Sequence, residues 1–295
     1  MFTIMYENPI PSVGDEAQEI QKEHKDTKKQ GKIKKVEDKS DYKYQEIAYF
    51  AFIDVLGFKK AFDDHREAQN NNDKRKYKVS KAHDIAFAEK YREVFIYYFE
   101  LMEASSIISQ KERTGCYAGQ TSDSLYFYCT RKDWLIDYIK IFLHLNLFAM
   151  SKDVFFRGGI ARGNLFVKDP YQFYGESVIY SYLLESDISK YPTIVIDENT
   201  YNDIKDCKEV DLLVKEKRGR HYLNIFAPLY DEFSLPLKDD AIIDMKKIDK
   251  KKILNNIKKN QQKFEYNVGN YEKYVFLVEE YEEYEKKMNK ARKNA

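Results

Sequence analysis

Three cysteines in 295 residues, Cys116, Cys129 and Cys207, are odd in number and fall into no CxxC or Cys/His spacing. Neither a disulfide framework nor a thiolate metal site is expected, and a reducing cytoplasm fits best. Charge of one sign is also lacking: Lys+Arg 50 against Asp+Glu 49 leaves a net +1. The overall balance therefore gives no reason to expect nucleic acid or an anionic membrane as a partner. The most apolar long stretch, 134–150, is interrupted by Asp137, Lys140 and His144 and is too short to cross a bilayer comfortably. The first residues carry no basic region followed by a long apolar core, so no secretory signal is expected. The five histidines, His24, His65, His83, His144 and His221, form no pair at metal-ligand spacing. Zinc chemistry and His-based hydrolysis are unsupported.

What the chain does have is 43% hydrophobic and 34% charged residues, enough for one sizeable core with attached segments. Residues 15–43 are too polar to order themselves, so 1–45 reads as a charged flexible leader. The core is expected at 46–230, and a helical extension at 231–295. Strands are expected near 47–55, at 154–161 with a returning neighbour at 164–167, and at 193–196, 210–215 and 221–226. Residues 116–130 read as a hairpin around a Gln-Thr-Ser-Asp turn. Helices are expected at 80–104, 132–150, 175–186 and 200–205. The first of these carries a stripe of Ile85, Ala88, Tyr91, Phe95, Tyr98 and Leu101. A second stripe, Tyr271, Tyr274, Val278 and Tyr281, suits packing on the chain's own core or on a second copy. The order of elements predicts an α+β domain with a largely antiparallel sheet and helices on one face.

One charge stands out. Asp54 sits near the end of the apolar run YFAFIDVLGF, where a carboxylate is costly unless paired, hydrogen-bonded or bound to metal. It could simply cap a helix beginning near Lys59. Asp123, at the hairpin tip, could likewise be a turn residue bonded to its own backbone. A hairpin placed beside the first strand would bring the two together, and with the carbonyl of Val55 they make an oxygen-rich site suited to two Mg²⁺ or Mn²⁺ ions. Two such ions are what phosphoryl transfer requires.

Four stretches carry a resemblance. F-x-D-x-x-G-F at 52–58, S-D-S with following aromatics at 122–127, R-G-G-I-A-x-G at 157–163 and Y-G-x-S-x-x-x-x-x-x-L-E at 174–185 stand in the order found in class III nucleotidyl cyclases. The chain resembles that family over about 46–230. The resemblance implies its ferredoxin-like α+β catalytic domain and two metal-holding aspartates, matched by Asp54 and Asp123. It also implies attack of a nucleotide 3′-hydroxyl on its own α-phosphorus. Backbone N–H groups of the turn Val55, Gly57 and Phe58 would face the triphosphate, and Arg157 matches an arginine that meets phosphates. The family's two-chain site implies a homodimer with interfacial active sites.

The departures are as informative as the matches. Gly119 and Gln172 stand where purine cyclases carry a base-reading Lys and Asp, and Ile179 and Leu183 where they carry an Asn and a transition-state Arg. The remaining pattern resembles the pyrimidine cyclases of bacterial Pycsar anti-phage systems. That implies cyclic UMP or cyclic CMP made as a signal for a separate effector. Gln172 can donate or accept and so does not separate uracil from cytosine; UTP is the expected substrate because it is expected to be the commoner one in that branch, with CTP the alternative. A degenerate, nucleotide-binding homologue and a purine cyclase are the competing readings. The missing arginine calls for another cation, with Arg162, Lys215, Lys217, Arg218 and Arg220 as candidates. Tyr49, Phe127, Phe155 and Phe156 are candidates to stack on the base, although with 15% aromatic residues an aromatic on a strand is more often core.

Overall fold

In the computed structural model, residues 42–57, 74–105, 107, 115–169, 172–239 and 248–294 are described. Strand β1 (Lys43–Val55) is followed by helix α1 (Lys74–Ala104), the hairpin β2 (Cys116–Thr121) and β3 (Ser124–Cys129), and α2 (Lys132–Ser151). Then come β4 (Phe156–Asp169), β5 (Gln172–Tyr174), α3 (Glu176–Leu183) with a π-helical turn (Leu184–Ile188), β6 (Ile194–Ile196), α4 (Glu198–Ile204) and α5 (Val210–Leu213). The hairpin β7 (Val214–Lys217) and β8 (Arg220–Leu223) and helices α6 (Lys250–Lys263) and α7 (Val268–Asn294) complete the order. Residues Tyr42–Ala295 form one compact unit.

The strands make one sheet in the order β2-β3-β1-β4-β6-β8-β7, with β5 also on β4. Only the β4–β6 pairing is parallel. The chain is therefore a mixed α+β fold with a largely antiparallel sheet and a C-terminal helical segment, as its element order predicts.

The pleat sorts β1 cleanly. Tyr49, Ala51, Ile53 and Val55 face α1 and α2 in the main core, together with Tyr98, Leu101, Tyr138 and Phe142. Ala48, Phe50 and Phe52 face the other way, among Tyr126, Tyr128, Leu165 and Phe173. The α1 stripe is buried from Tyr91 onward, whereas Ile85 and Ala88 are exposed. In the C-terminal segment Tyr274, Val278 and Tyr281 pack against Leu147 and Met150 of α2 and Ile253 and Ile257 of α6, so that stripe meets the chain's own core.

Three local expectations need correction. Residues 164–167 do not return beside 154–161: β4 runs straight through, and β5 is its returning neighbour. Residues 210–213 are a helical turn, because Val210 and Leu213, three apart, both enter the core before the chain extends into β7. Helices also cover both faces of the sheet. Gly159 explains the second layer: a Cβ there would lie 2.3 Å from the Ser181 carbonyl oxygen and 2.4 Å from Leu184 Cβ. Only glycine lets α3 and its π-turn sit directly on β4.

Candidate active site

Asp54 and Asp123 meet where β1 lies beside the β2–β3 hairpin. In the antiparallel register Asp54 is opposite Ser124, the residue after Asp123. The Ser124 hydroxyl donates to Asp54 Oδ1 at 3.1 Å. The hairpin turns through a two-residue loop, since Thr121 pairs with Ser124, and Ser122 takes φ +55° there. The Tyr91 hydroxyl, from α1, donates to the Asp123 carbonyl and fixes this turn from below.

On its other side β1 pairs with β4, and Asp54 stands opposite Arg157. An Arg157 guanidinium nitrogen lies 3.8 Å from Asp54 Oδ2 and 2.6 Å from Glu185 Oε1. The Glu185 contact is an ion pair without an aligned N–H, and Arg157 Nε is buried with no hydrogen-bond acceptor among the described residues. Glu185 arrives from the π-turn that Gly159 admits onto β4.

The electrostatics follow from crowding. Burial raises the Asp54 carboxyl above its usual range and the Asp123 carboxylate raises it further, while Ser124 and Arg157 pull it down. Glu185 is likewise raised, first by burial, against the pull of Arg157. Burial pushes the Tyr91 phenol far up, with Asp123 and Asp54 adding to it. Negative charge is thus concentrated at one end of the sheet, and among the described residues Arg157 is the one cation in contact with it. Among the described residues no three His, Cys, Asp or Glu side chains form a ready metal cage. Two carboxylates alone still suit a hard divalent cation that keeps open positions for water or phosphate oxygens.

The other predicted residues divide. Val55 is next to Asp54, its side chain in the core and its backbone bonded to the Asp54 carboxylate. Gly57 turns the chain immediately afterwards at φ +84°, and Phe58 lies outside the described residues. Gly119, on β2, and Gln172, on β5, lie on different strands and are linked only through aromatic rings between them. A Cβ on Gly119 would lie 2.4 Å from the Tyr126 ring. That ring packs 5.0 Å from Phe173, the neighbour of the exposed Gln172 on β5. Tyr126 is opposite Phe52, two residues from Asp54 on the same face of β1. Ile179 and Leu183 are 57% and 41% exposed on α3, so neither position offers a polar group to this face.

Arg162 and Lys217 do not join the acidic pair. Arg162 is bound at 2.8 Å by Asp203, which also accepts from the Tyr49 hydroxyl on the α1–α2 face. Lys215 and Lys217 are both held by the buried Glu280 of α7, at 2.7 and 3.1 Å. Tyr49, Phe127, Phe155 and Phe156 are all core residues, none more than 5% exposed, which leaves no face for a base. Sequence reading missed Tyr91 and gave Glu185 no role, although Glu185 closes the last of the four motifs. Tyr91 carries no signal beyond its place in a helical stripe.

A cavity of about 530 Å³ lies elsewhere, between α7 and the β6–β8 strands, with Tyr191, Tyr222, Phe276, Arg218 and Arg220 in its wall. Among the described residues no helix is long and apolar enough to cross a membrane.

No protein-family model and no curated protein sequence matches the chain. Among solved structures it is similar to the catalytic core of a rhodopsin–guanylyl cyclase with converted specificity, in complex with ATPαS. That likeness is at 16% identity and TM-score 0.36, over 62% of this chain and 98% of the other. A likeness of that degree carries no conclusion about activity or substrate.

Proposed function

We propose that the chain is a nucleotidyl cyclase that converts a pyrimidine nucleoside triphosphate, UTP before CTP, to its 3′,5′-cyclic monophosphate and pyrophosphate. The carrying observation is the meeting of Asp54 and Asp123 at one end of β1, with Arg157 opposite Asp54 on the neighbouring strand. The raised Asp54 carboxyl marks a carboxylate short of positive charge. Asp54, Asp123 and the Val55 carbonyl are hard oxygen donors, and they would hold two Mg²⁺ or Mn²⁺ ions completed by substrate phosphates. Ions so held supply activation of the attacking hydroxyl and compensation of phosphate charge. In the step, the 3′-hydroxyl gives its proton to solvent water, its oxygen bonds to the α-phosphorus, and the bond from that phosphorus to the pyrophosphate oxygen breaks, the electron pair leaving with pyrophosphate. Ser124 and Tyr91 hold the acidic turn in place, and Arg157 faces the phosphates with an unused N–H.

The pyrimidine reading is supported by Gly119. Its lack of a side chain leaves room for the Tyr126 ring, which occupies the space a purine-reading lysine would need. A smaller base suits a face narrowed by Tyr126 and Phe173. The site is completed by a second copy of the chain, a reading supported by the apolar exposure of Ile179, Tyr182 and Leu183 on the α3 surface. The product would be a signal in anti-phage defence, read by a separate effector. Ile179 and Leu183 also motivate the rival reading, a cyclase-like module that binds nucleotide without turnover.

The test is to incubate the purified chain with Mn²⁺ and each of the four nucleoside triphosphates and identify products by mass. Cyclic UMP is expected, and cyclic CMP would move the substrate within the class. A product from ATP or GTP alone would overturn the pyrimidine reading, and no pyrophosphate from any nucleotide would overturn the enzyme. Sedimentation over a dilution series tests the two-chain site, which a persistent monomer removes.

A further inference from the structure

The cations that the sequence offers as substitutes for the missing arginine are largely spoken for: Arg162 by Asp203, and Lys215 and Lys217 by Glu280. Arg218 and Arg220 are exposed on the β7–β8 turn and its following strand. One lysine outside that set is placed differently. Lys273 lies in the second turn of α7, where the helix is docked on the start of β4. The ring of Tyr274, its neighbour, meets Phe155 edge-on at 5.3 Å, two residues before Arg157. The Phe155 carbonyl accepts from Leu56 N–H at 2.9 Å, just past Asp54.

Lys273 is half-buried there, and its only hydrogen bond among the described residues is to Asn270 Oδ1 at 3.2 Å. No carboxylate pairs with it among the described residues. Burial lowers its pKa, and the positive charge of Arg157 lowers it further. Half-burying an ammonium within the field of a guanidinium is unfavourable unless an anion joins them. Arg157 in turn keeps a buried Nε–H without an acceptor among the described residues.

We propose that Lys273 and Arg157 together bind the polyphosphate of the substrate, with Lys273 the second phosphate-holding cation of the site. This rests on the reading of the Asp54–Asp123 pair as a nucleotide site. It gives α7, which lies beyond the four sequence motifs, a direct part in substrate binding. A Lys in this role acts as a compact point charge on the phosphate oxygens, complementing the planar guanidinium.

The experiment uses the full chain and inorganic tripolyphosphate with Mn²⁺ as the probe, read by calorimetry, alongside steady-state turnover of the preferred nucleotide. Lys273→Gln is expected to weaken tripolyphosphate binding by about tenfold and to lower kcat/KM by a similar factor, with the melting temperature unchanged. Lys273→Arg is expected to restore most of both. Wild-type affinity in Lys273→Gln overturns the proposal. So does a lowered melting temperature with no rescue by arginine, which would mark Lys273 as structural. If no nucleotide is turned over but tripolyphosphate binding depends on Lys273, the cyclase reading falls and the polyphosphate site stands.

Discussion

Arg157 is shared unequally between two acids: its guanidinium lies 2.6 Å from Glu185 and 3.8 Å from Asp54, the residue directly across the β1–β4 ladder. Glu185 therefore takes the closer share of that positive charge. Asp54 and Asp123 are left facing each other with an unmet demand for a cation.

If those two carboxylates hold the reaction's ions, Asp54→Asn and Asp123→Asn should each lower turnover by at least about a hundredfold. Neither should cost stability, because each removes a repulsion between two partly buried acids. Turnover with Mn²⁺ and the preferred nucleotide, measured beside thermal melts, checks both halves. Turnover within tenfold of wild type in either variant removes the two-ion mechanism.

Removing Glu185 tests the sharing itself. In Glu185→Gln the guanidinium has only Asp54 left as an anion among its present partners, and it should compete with the incoming ion there. Mn²⁺ affinity, read by calorimetry without nucleotide, should fall about tenfold, equivalent to about 1.4 kcal/mol. Unchanged Mn²⁺ binding would mean that Arg157 does not compete at Asp54.

The two aspartates and the elements carrying them were legible in the sequence because each broke a local rule: a charge ending an apolar strand, and an acid at a hairpin tip. The largely antiparallel sheet was legible too, since strand-like runs and turn residues are local signals. The second helical layer was not. It depends on Gly159 admitting the π-turn onto β4, and a glycine in a strand signals close approach without naming what approaches. Arg162 and Lys217 stand apart from the acidic pair for a related reason. Sequence shows a cation but not the Asp203 or Glu280 that neutralises it from 41 and 63 residues away. Lys273 was hidden by the same distance, lying in a helix that looked like an appendage.

Gly159→Ala measures how tightly that layer is fitted. Its Cβ would press on backbone at Ser181 and on Leu184, so the helix must shift, at a cost of about 1–3 kcal/mol. For a unit of this size the melting temperature should fall by roughly 3–10 °C. Gly57→Ala is the contrast, because no described residue lies within 4 Å of its Cβ and the positive φ is penalised, at about 1 kcal/mol. Activity should fall further in Gly159→Ala than in Gly57→Ala, since Glu185 moves with the π-turn. Equal melting temperatures in the two variants would show that α3 is not seated against β4.

His144 sets a pH dependence that is independent of the active site. It is buried on α2 with Nε2 2.9 Å from the Tyr97 hydroxyl, and burial lowers its pKa from 6.5 to about 4. The folded chain keeps this imidazole neutral where the unfolded chain protonates it. Its contribution to stability is thus complete above pH 6.5 and is lost as pH falls toward 4, reaching about 3 kcal/mol at the lower end. Raised carboxyls such as Asp54 and Glu185 act in the opposite direction, so the whole-protein profile mixes the two. Comparison with His144→Phe isolates the histidine, because that variant carries only a pH-independent offset from the lost Tyr97 bond. Urea unfolding of both proteins between pH 7 and pH 4.5 should show the wild type losing stability relative to His144→Phe as the solution is acidified. A constant difference across that range would mean that the imidazole titrates alike in the folded and unfolded chains.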